Sequence, residues 1–155
     1  MHKHHIAHLD ISLSNLLTDY MGNYSYIDYE LGRRFDSRAP THLVCNYRGT
    51  ELPPESGKNT PVDPYKVDVW ALAVLVLRAC KVCCLPSHPY PCQLLIHSLQ
   101  LTGYWVPQLM TILKPMLDED PSQRPSSFAV LQAFDKLVAA LGLQNETEID
   151  GSCYN

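Results

Sequence analysis

The sequence contains little charge: Asp, Glu, Lys and Arg together make up only 18% of its 155 residues. Globular domains average about 25% charged residues, and disordered chains usually combine many charges with few apolar residues. Here apolar residues make up 46% of the chain, which is enough for one domain with one core. An excess of positive charge is also lacking, because the formal net charge is −4. The composition therefore argues against disorder and against a nucleic-acid-binding surface.

Long hydrophobic runs are lacking as well. The longest, residues 69–77, is too short to cross a bilayer. The N-terminus, Met-His-Lys-His-His, does not have the pattern of a signal peptide. The six cysteines are unevenly spaced, and we interpret them as reduced thiols rather than as a disulfide framework. The sequence thus predicts an intracellular, cytoplasmic protein with no membrane partner, and it does not indicate an oligomeric state.

The first half of the chain predicts a hairpin followed by a long loop. Turn-forming residues at 19–23 separate two short extended segments, which predicts a small β-hairpin. Residues 31–66 have no helical period. A loop of that length inside a compact domain is usually functional.

The second half predicts helices. Apolar residues lie nearly all round a helix that starts at about residue 66, which indicates a buried central helix. A second helix is predicted at Val106–Leu117. Ser126 is a suitable N-cap for a last helix that reaches about Leu141, where Gly142 ends it. We therefore expect a mainly α fold.

One stretch combines residue types that point to chemistry: His-Leu-Asp-Ile-Ser-Leu-Ser-Asn, residues 8–15. An Asp followed five residues later by an Asn, with a His two positions before the Asp, resembles the catalytic loop of protein kinases. In-line phosphoryl transfer needs a carboxylate that accepts or orients the hydroxyl proton, and an amide oxygen that ligates Mg²⁺ nearby. Taken alone the motif is weak, because Asp10 and Asn15 are also ordinary turn residues.

Four further motifs follow in the order found in the protein kinase family. They resemble its metal-binding Asp-Phe-Gly, the end of its activation segment, its Asp-x-Trp helix start and its late Arg-Pro loop. In this sequence they are Asp28-Tyr29-Glu30, Gly49-Thr50 with Pro53-Pro54-Glu55, Asp68-Val69-Trp70, and Asp120 to Ser126. The resemblance covers about residues 4–141. It implies a truncated α+β kinase domain: a protein-kinase-like C-terminal lobe, mainly α, with a small β-hairpin after the catalytic loop.

The resemblance also implies roles for individual residues, together with ATP and Mg²⁺ as cofactors of the full-length parent and a protein substrate as partner. The implied roles are: Asp10, catalytic base; Asn15 and Asp28, Mg²⁺ ligands, which with Ser12 contact the nucleotide; Thr50, activation segment; His8, a structural hydrogen-bonding residue; Asp68, a brace for the catalytic-loop backbone; Glu55 and Arg124, a buried ion pair.

Several positions depart from the family pattern. Leu9 replaces the usual Arg that pairs with a phosphorylated activation loop, which argues against control by loop phosphorylation. Ser12 replaces a phosphate-contacting Lys, and Glu30 replaces the Gly of Asp-Phe-Gly. The interval from Gly49 to Glu55 is two residues shorter than usual, and Ala73 replaces a helix Gly. Two functions therefore stay open: a kinase that phosphorylates Ser or Thr, and a pseudokinase that serves as a protein-interaction module.

The Gly-rich loop, strand Lys and helix Glu that cradle ATP phosphates in the family have no counterpart here. We interpret residues 1–144 as a partial kinase-like domain that is inactive alone, arising either as a fragment or from an incomplete gene model, and 145–155 as a disordered tail. The uncharged segment 82–100 has three cysteines, two histidines and three prolines, and we hypothesise a translated intron, which spliced transcript reads would test. Alternatives are a zinc site on Cys83, Cys84, His88, Cys92 and His97, and a metal tract at the N-terminal histidines.

Overall fold

The computed structural model describes residues 1–19, 21–36, 42–58, 60–83 and 106–142. Helices make up the larger part of its regular structure, with two small antiparallel sheets beside them. The strands are β1 (Ile6–Ala7), β2 (Leu16–Thr18), β3 (Tyr24–Tyr26) and β4 (Arg33–Arg34). The α-helices are α1 (Pro64–Cys83), α2 (Val106–Met116) and α3 (Ser127–Ala140). Of the segment 82–100 only residues 82 and 83 are described, as the end of α1, and the tail 145–155 lies outside the described residues.

The predicted hairpin is confirmed. β2 pairs antiparallel with β3, and Leu16 lies opposite Tyr26. In the turn, the Asp19 carboxylate accepts hydrogen bonds from the backbone N–H groups of Met21 (2.8 Å) and Asn23 (3.1 Å). Gly22 has φ 93°, which glycine adopts without steric cost. The hairpin therefore follows from local turn chemistry. Asp28 lies two residues after the end of β3.

A second sheet was not predicted. β1 pairs antiparallel with β4, with Ile6 opposite Arg34 and Ala7 opposite Arg33. Two-residue strands are too short to produce a periodic pattern, so residues 31–66 read as a loop throughout. This sheet ties the chain that follows Asp28 to the chain just before residues 8–15. Further along, an isolated bridge joins Val44 and Val62, and a 3₁₀ turn occupies Pro54–Lys58.

Helix α1 is central, as predicted, and begins two residues earlier than expected. The Asp63 carboxylate accepts hydrogen bonds from the N–H groups of Tyr65 (2.9 Å) and Lys66 (3.3 Å), and proline suits the first turn. The helix contributes to three apolar clusters. Their buried members are Ala7, Leu9, Val44, Val62 and Val67; Val69, Ala73, Ile112, Leu113 and Met116; and Ile11, Ala71 and Leu75. Through the first and third clusters α1 supports the stretch 8–15.

The two C-terminal helices are confirmed. The Ser126 hydroxyl caps α3 by accepting a hydrogen bond from the Ala129 N–H (3.2 Å), and Gly142 follows with φ 68°. Phe134 and Leu137 of α3 pack on the α1–α2 cluster. Phe128 and Leu131, which fit the same helical period, are instead mostly exposed. None of the described helices is both long and apolar enough to span a membrane.

Candidate active site

A buried carboxylate on α1 holds the backbone that leads into Asp10. Asp68 is 1% exposed, and its Oδ2 and Oδ1 accept hydrogen bonds from the N–H groups of His8 and Leu9, both at 2.8 Å. The His2 imidazole also bonds to Oδ2, at 2.9 Å. Hydrogen bonds to a charged group contribute more than neutral ones, about 1.5–3 kcal/mol each. The loop start is therefore fixed to the central helix.

Leu9 has a backbone conformation that non-glycine residues seldom adopt. Its φ is 64°, in the left-handed region, where such residues cost free energy and persist only when their surroundings hold them. Two features hold Leu9: the bond from its N–H to Asp68, and the packing of its 2%-exposed side chain in the cluster with Val44 and Val67. Where the family has an Arg, this chain thus has an apolar contact with the segment after β4.

The Asp10 carboxylate is held by two residues, Thr50 and Asn15. Its Oδ2 accepts from Asn15 Nδ2 (2.8 Å), and its Oδ1 accepts from the Thr50 backbone N–H (2.7 Å). Burial alone raises the pKa of Asp10, but the hydrogen bonds from Thr50 and Asn15, with the nearby His8, outweigh it and lower the pKa below its ordinary value of 3.8. Asp10 is therefore ionised at neutral pH and can accept a proton.

The orientation of the Asn15 amide follows from its partners. Nδ2 donates both to Asp10 Oδ2 and to the Asp10 backbone carbonyl (3.0 Å). Both partners are acceptors, so the amide nitrogen must face them and Oδ1 must face the other way. Asn15 is 8% exposed. The side-chain carbonyl oxygen of Asn15 thus has a fixed position on the side away from Asp10.

His8 connects the loop to the end of the hairpin. Its Nδ1 accepts from the Asp10 N–H (3.3 Å), so in the neutral ring Nε2 carries the proton and donates to the Ile27 carbonyl (3.2 Å). The Ile27 N–H in turn donates to the backbone carbonyl of Asn15 (3.0 Å). Asp28 follows directly, exposed and with φ 61°. Two non-glycine residues with positive φ, Leu9 and Asp28, therefore flank the Asp10–Asn15 pair.

The donor set fits a hard divalent cation. Mg²⁺ prefers carboxylate and carbonyl oxygens, and Asn15 Oδ1 and the Asp28 carboxylate are of that kind. The described residues contain no group of three or more His, Cys, Asp and Glu side chains that could hold a metal ion. The zinc ligands considered in 83–97 lie outside the described side chains. Ser12 is 2% exposed and its hydroxyl bonds to that of Ser14 (2.8 Å).

The structure brings Glu55 and Arg124 together, 69 residues apart in sequence. Nη1 and Nη2 of Arg124 donate to Oε1 and Oε2 of Glu55, each at 2.7 Å. The Arg124 side chain is fully buried, and its Nε donates to the Asp118 carbonyl (2.8 Å). The pair thus joins the end of the loop 42–58 to the turn before α3, in a bidentate geometry that lysine could not reproduce.

Sequence reasoning missed several residues around the site. His2 was taken as part of a histidine-rich end, although it lies six residues before His8 and reaches the same Asp68. Glu51 is 4% exposed and bonds to Arg78 of α1, while the Tyr47 hydroxyl donates to the Glu51 carbonyl (2.9 Å). No local sequence pattern predicts such pairs, because their members are far apart in sequence or form hydrogen bonds through the backbone.

Gly49 lies where a side chain would collide with its neighbours. A Cβ there would be 2.4 Å from the Leu9 carbonyl oxygen and 2.1 Å from the Tyr47 hydroxyl oxygen. The close approach places the next residue, Thr50, with its N–H on Asp10. The position therefore requires glycine for space.

The braced loop, the Asp10–Asn15 pair and the Asp28 turn have the layout of part of a kinase domain. The protein kinase domain family matches residues 1–134, and the chain belongs to this family. It is similar to the serine/threonine-protein kinase Nek3 of Mus musculus, with 29% identity over 149 residues that cover 84% of this chain and 26% of that protein. It is also similar to CBL-interacting protein kinase 25 of Oryza sativa subsp. japonica, with 32% identity over 136 residues, covering 79% and 25%. The chain thus spans about a quarter of the length of these relatives.

Proposed function

We propose that this chain is the C-terminal lobe of a kinase domain whose full-length protein transfers the γ-phosphoryl group of ATP to a Ser or Thr hydroxyl of a protein. The observation that carries the proposal is the Asp10 carboxylate, held ionised between the Thr50 N–H and the Asn15 amide. The choice of Ser or Thr is supported by relatives that are named as serine/threonine-protein kinases.

Asp10 is the catalytic base in this mechanism. Its ionised carboxylate accepts the hydroxyl proton of the substrate as the hydroxyl oxygen bonds to the γ-phosphorus and the bond to the leaving oxygen of ADP breaks. Asn15 and Thr50 prevent the carboxylate from rotating, and Asp68 holds the backbone through the two N–H groups before it. Positioning of this kind is a main contribution of the protein to the catalysis of phosphoryl transfer.

In the proposal the Asn15 Oδ1 and the Asp28 carboxylate would hold Mg²⁺. When bound, Mg²⁺ neutralises charge on the phosphate oxygens and orients the nucleotide. Ser12 is kept in the proposal as a nucleotide contact only because of its place in the motif, since the whole residue is 2% exposed and its burial does not support the contact.

The test is phosphate transfer from radiolabelled ATP to a generic protein substrate by the longest natural protein that contains this chain. Asp10→Asn removes the base while keeping the size of the side chain, and we expect a fall in rate of roughly 10²–10⁴-fold. Asp135→Asn, an exposed aspartate on α3, is the matched control and should retain the parent rate. A parent that is active and is unaffected by Asp10→Asn contradicts the proposed role.

A pseudokinase is the second candidate, and Leu9 and Glu30 favour it. Leu9 replaces a cation by an apolar core residue, and Glu30 adds an exposed negative charge two residues after Asp28. Such a protein would bind nucleotide or a partner protein without transferring phosphate. Nucleotide-dependent thermal stabilisation of the full-length protein, with no phosphate transfer to any substrate, would favour this candidate over the enzyme.

A further inference from the structure

The contact between Thr50 and Asp10 depends on a segment with few constraints of its own. Residues 47–51 have no helix or strand to hold them. Yet the Thr50 N–H must stay within 2.7 Å of Asp10 Oδ1 across 40 residues of sequence. Something outside the segment must therefore hold it against the loop.

The next residue, Glu51, provides a link to the central helix. Its side chain is only 5% exposed, and its Oε2 accepts a hydrogen bond from Nη2 of Arg78 at 2.9 Å. Arg78 lies on α1 and is 59% exposed. A carboxylate that is buried without a partner is costly, so the position of Glu51 depends on the arginine. The ion pair thus fixes the peptide that carries the Thr50 N–H to α1.

The other side of the segment is held by packing and a second hydrogen bond. The Tyr47 hydroxyl donates to the Glu51 carbonyl, and Gly49 lies against the Leu9 carbonyl oxygen and the Tyr47 ring. These contacts close residues 47–51 into a turn over Leu9. The Glu51–Arg78 pair adds a polar link from this turn to the helix that also carries Asp68, beside the packing of Tyr47 on the cluster that contains Val67.

We propose that Glu51 and Arg78 are positioning residues that hold the Thr50 N–H on the Asp10 carboxylate. The role of this contact in catalysis rests on the function proposed above. The contact between the Thr50 N–H and Asp10 can be tested whether or not that function is correct. Neither residue is assigned to the reacting atoms. Loss of the pair frees Oδ1 of Asp10 from the Thr50 N–H while Asn15 still holds Oδ2, so the carboxylate is oriented from one side only. We therefore expect the rate of phosphate transfer to fall with little change in nucleotide binding.

Hydrogen exchange of backbone amides, followed by NMR on the chain, tests the contact without any need for activity. In Arg78→Met we expect the Thr50 amide to exchange roughly tenfold faster, while amides inside α1 such as that of Val69 keep their exchange rates. Arg78→Lys keeps the charge and should restore much of the protection. Arg34→Met, an exposed arginine on β4, is the matched control and should leave Thr50 unchanged.

Two outcomes would overturn the proposal: an unchanged Thr50 amide, or faster exchange of Thr50 and α1 amides together, which indicates general destabilisation. Glu51→Gln keeps the shape of the side chain and serves if Arg78→Met does not fold, with the same expected pattern. In the full-length protein the expected companion result is a lower kcat with an unchanged KM for ATP. If that protein transfers no phosphate, the proposed function fails, whereas the exchange data still decide the positioning role.

Discussion

The loop region around Asp10 and the pair of C-terminal helices are stabilised in different ways. In the loop region several polar groups meet partners that are 40 to 69 residues away in sequence, such as Asp68 with His8 and Glu55 with Arg124. Between α2 and α3 the buried side chains are apolar, among them Ile112, and the polar contacts that shape the ends are local. The first region depends on particular pairs, and the second on apolar area, which tolerates changes of shape better.

The largest expected effect comes from breaking the Glu55–Arg124 pair. Arg124→Met removes the partner of a carboxylate that is 12% exposed and leaves the Asp118 carbonyl without its donor. We expect the free energy of unfolding of the chain to fall by about 3–5 kcal/mol. Chemical denaturation of the two proteins measures it.

Glu55→Gln is the complementary variant, because it leaves the Arg124 charge fully buried without a countercharge. Since the two residues act as one unit, the double variant should cost less than the sum of the singles. The exposed Arg34→Met is the control and should change stability by less than about 0.5 kcal/mol. A cost of Arg124→Met no greater than that of the control would show that the two regions do not differ in this way.

A smaller effect is expected in the helical region. Ile112→Val removes one methylene from a side chain that is 9% exposed and packs between α1 and α2. We expect a loss of about 0.5–1.5 kcal/mol in the free energy of unfolding. Leu131→Ala, on the exposed side of α3, removes more atoms but should cost less. A larger cost for Leu131→Ala would mean that the exposed face of α3 is not free in solution.

The same difference explains what could be predicted from the sequence. The hairpin turn, the Ser126 cap and the helices at 106 and 126 were predicted because their causes lie within a few residues. The bounds of α2 and α3 therefore differ from expectation by only one or two residues. The order of motifs added long-range information, and the structure brings Asp10, Asn15 and Thr50 together, as well as Glu55 and Arg124.

The remaining contacts had no signal of this kind. The β1–β4 sheet has two residues in each strand, and its register depends on where the rest of the fold places it. His2 and Arg78 act on Asp68 and Glu51, which are 66 and 27 residues away. Their residue types are common on surfaces, so nothing in the sequence alone distinguishes them from solvated side chains. Leu9 was recognised as a departure, but its place in the core became clear only from the fold.

The smallest effect, and the one that separates the regions by electrostatics, is a dependence on pH. Burial raises the pKa of Asp10, but the hydrogen bonds from Thr50 and Asn15 lower it by more than burial raises it. The pKa of Asp10 in the folded chain therefore lies below the ordinary value of 3.8. Ionised Asp10 therefore adds stability above pH 3.8, and this contribution is lost as the pH falls through the folded pKa.

Asn at position 10 cannot ionise. The difference in unfolding free energy between the parent chain and Asp10→Asn should thus shrink below pH 3.8, whereas the cost of Ile112→Val should stay constant. Denaturant titrations on both sides of that pH measure both, and a constant difference for Asp10→Asn would mean that its hydrogen bonds do not favour the ionised form.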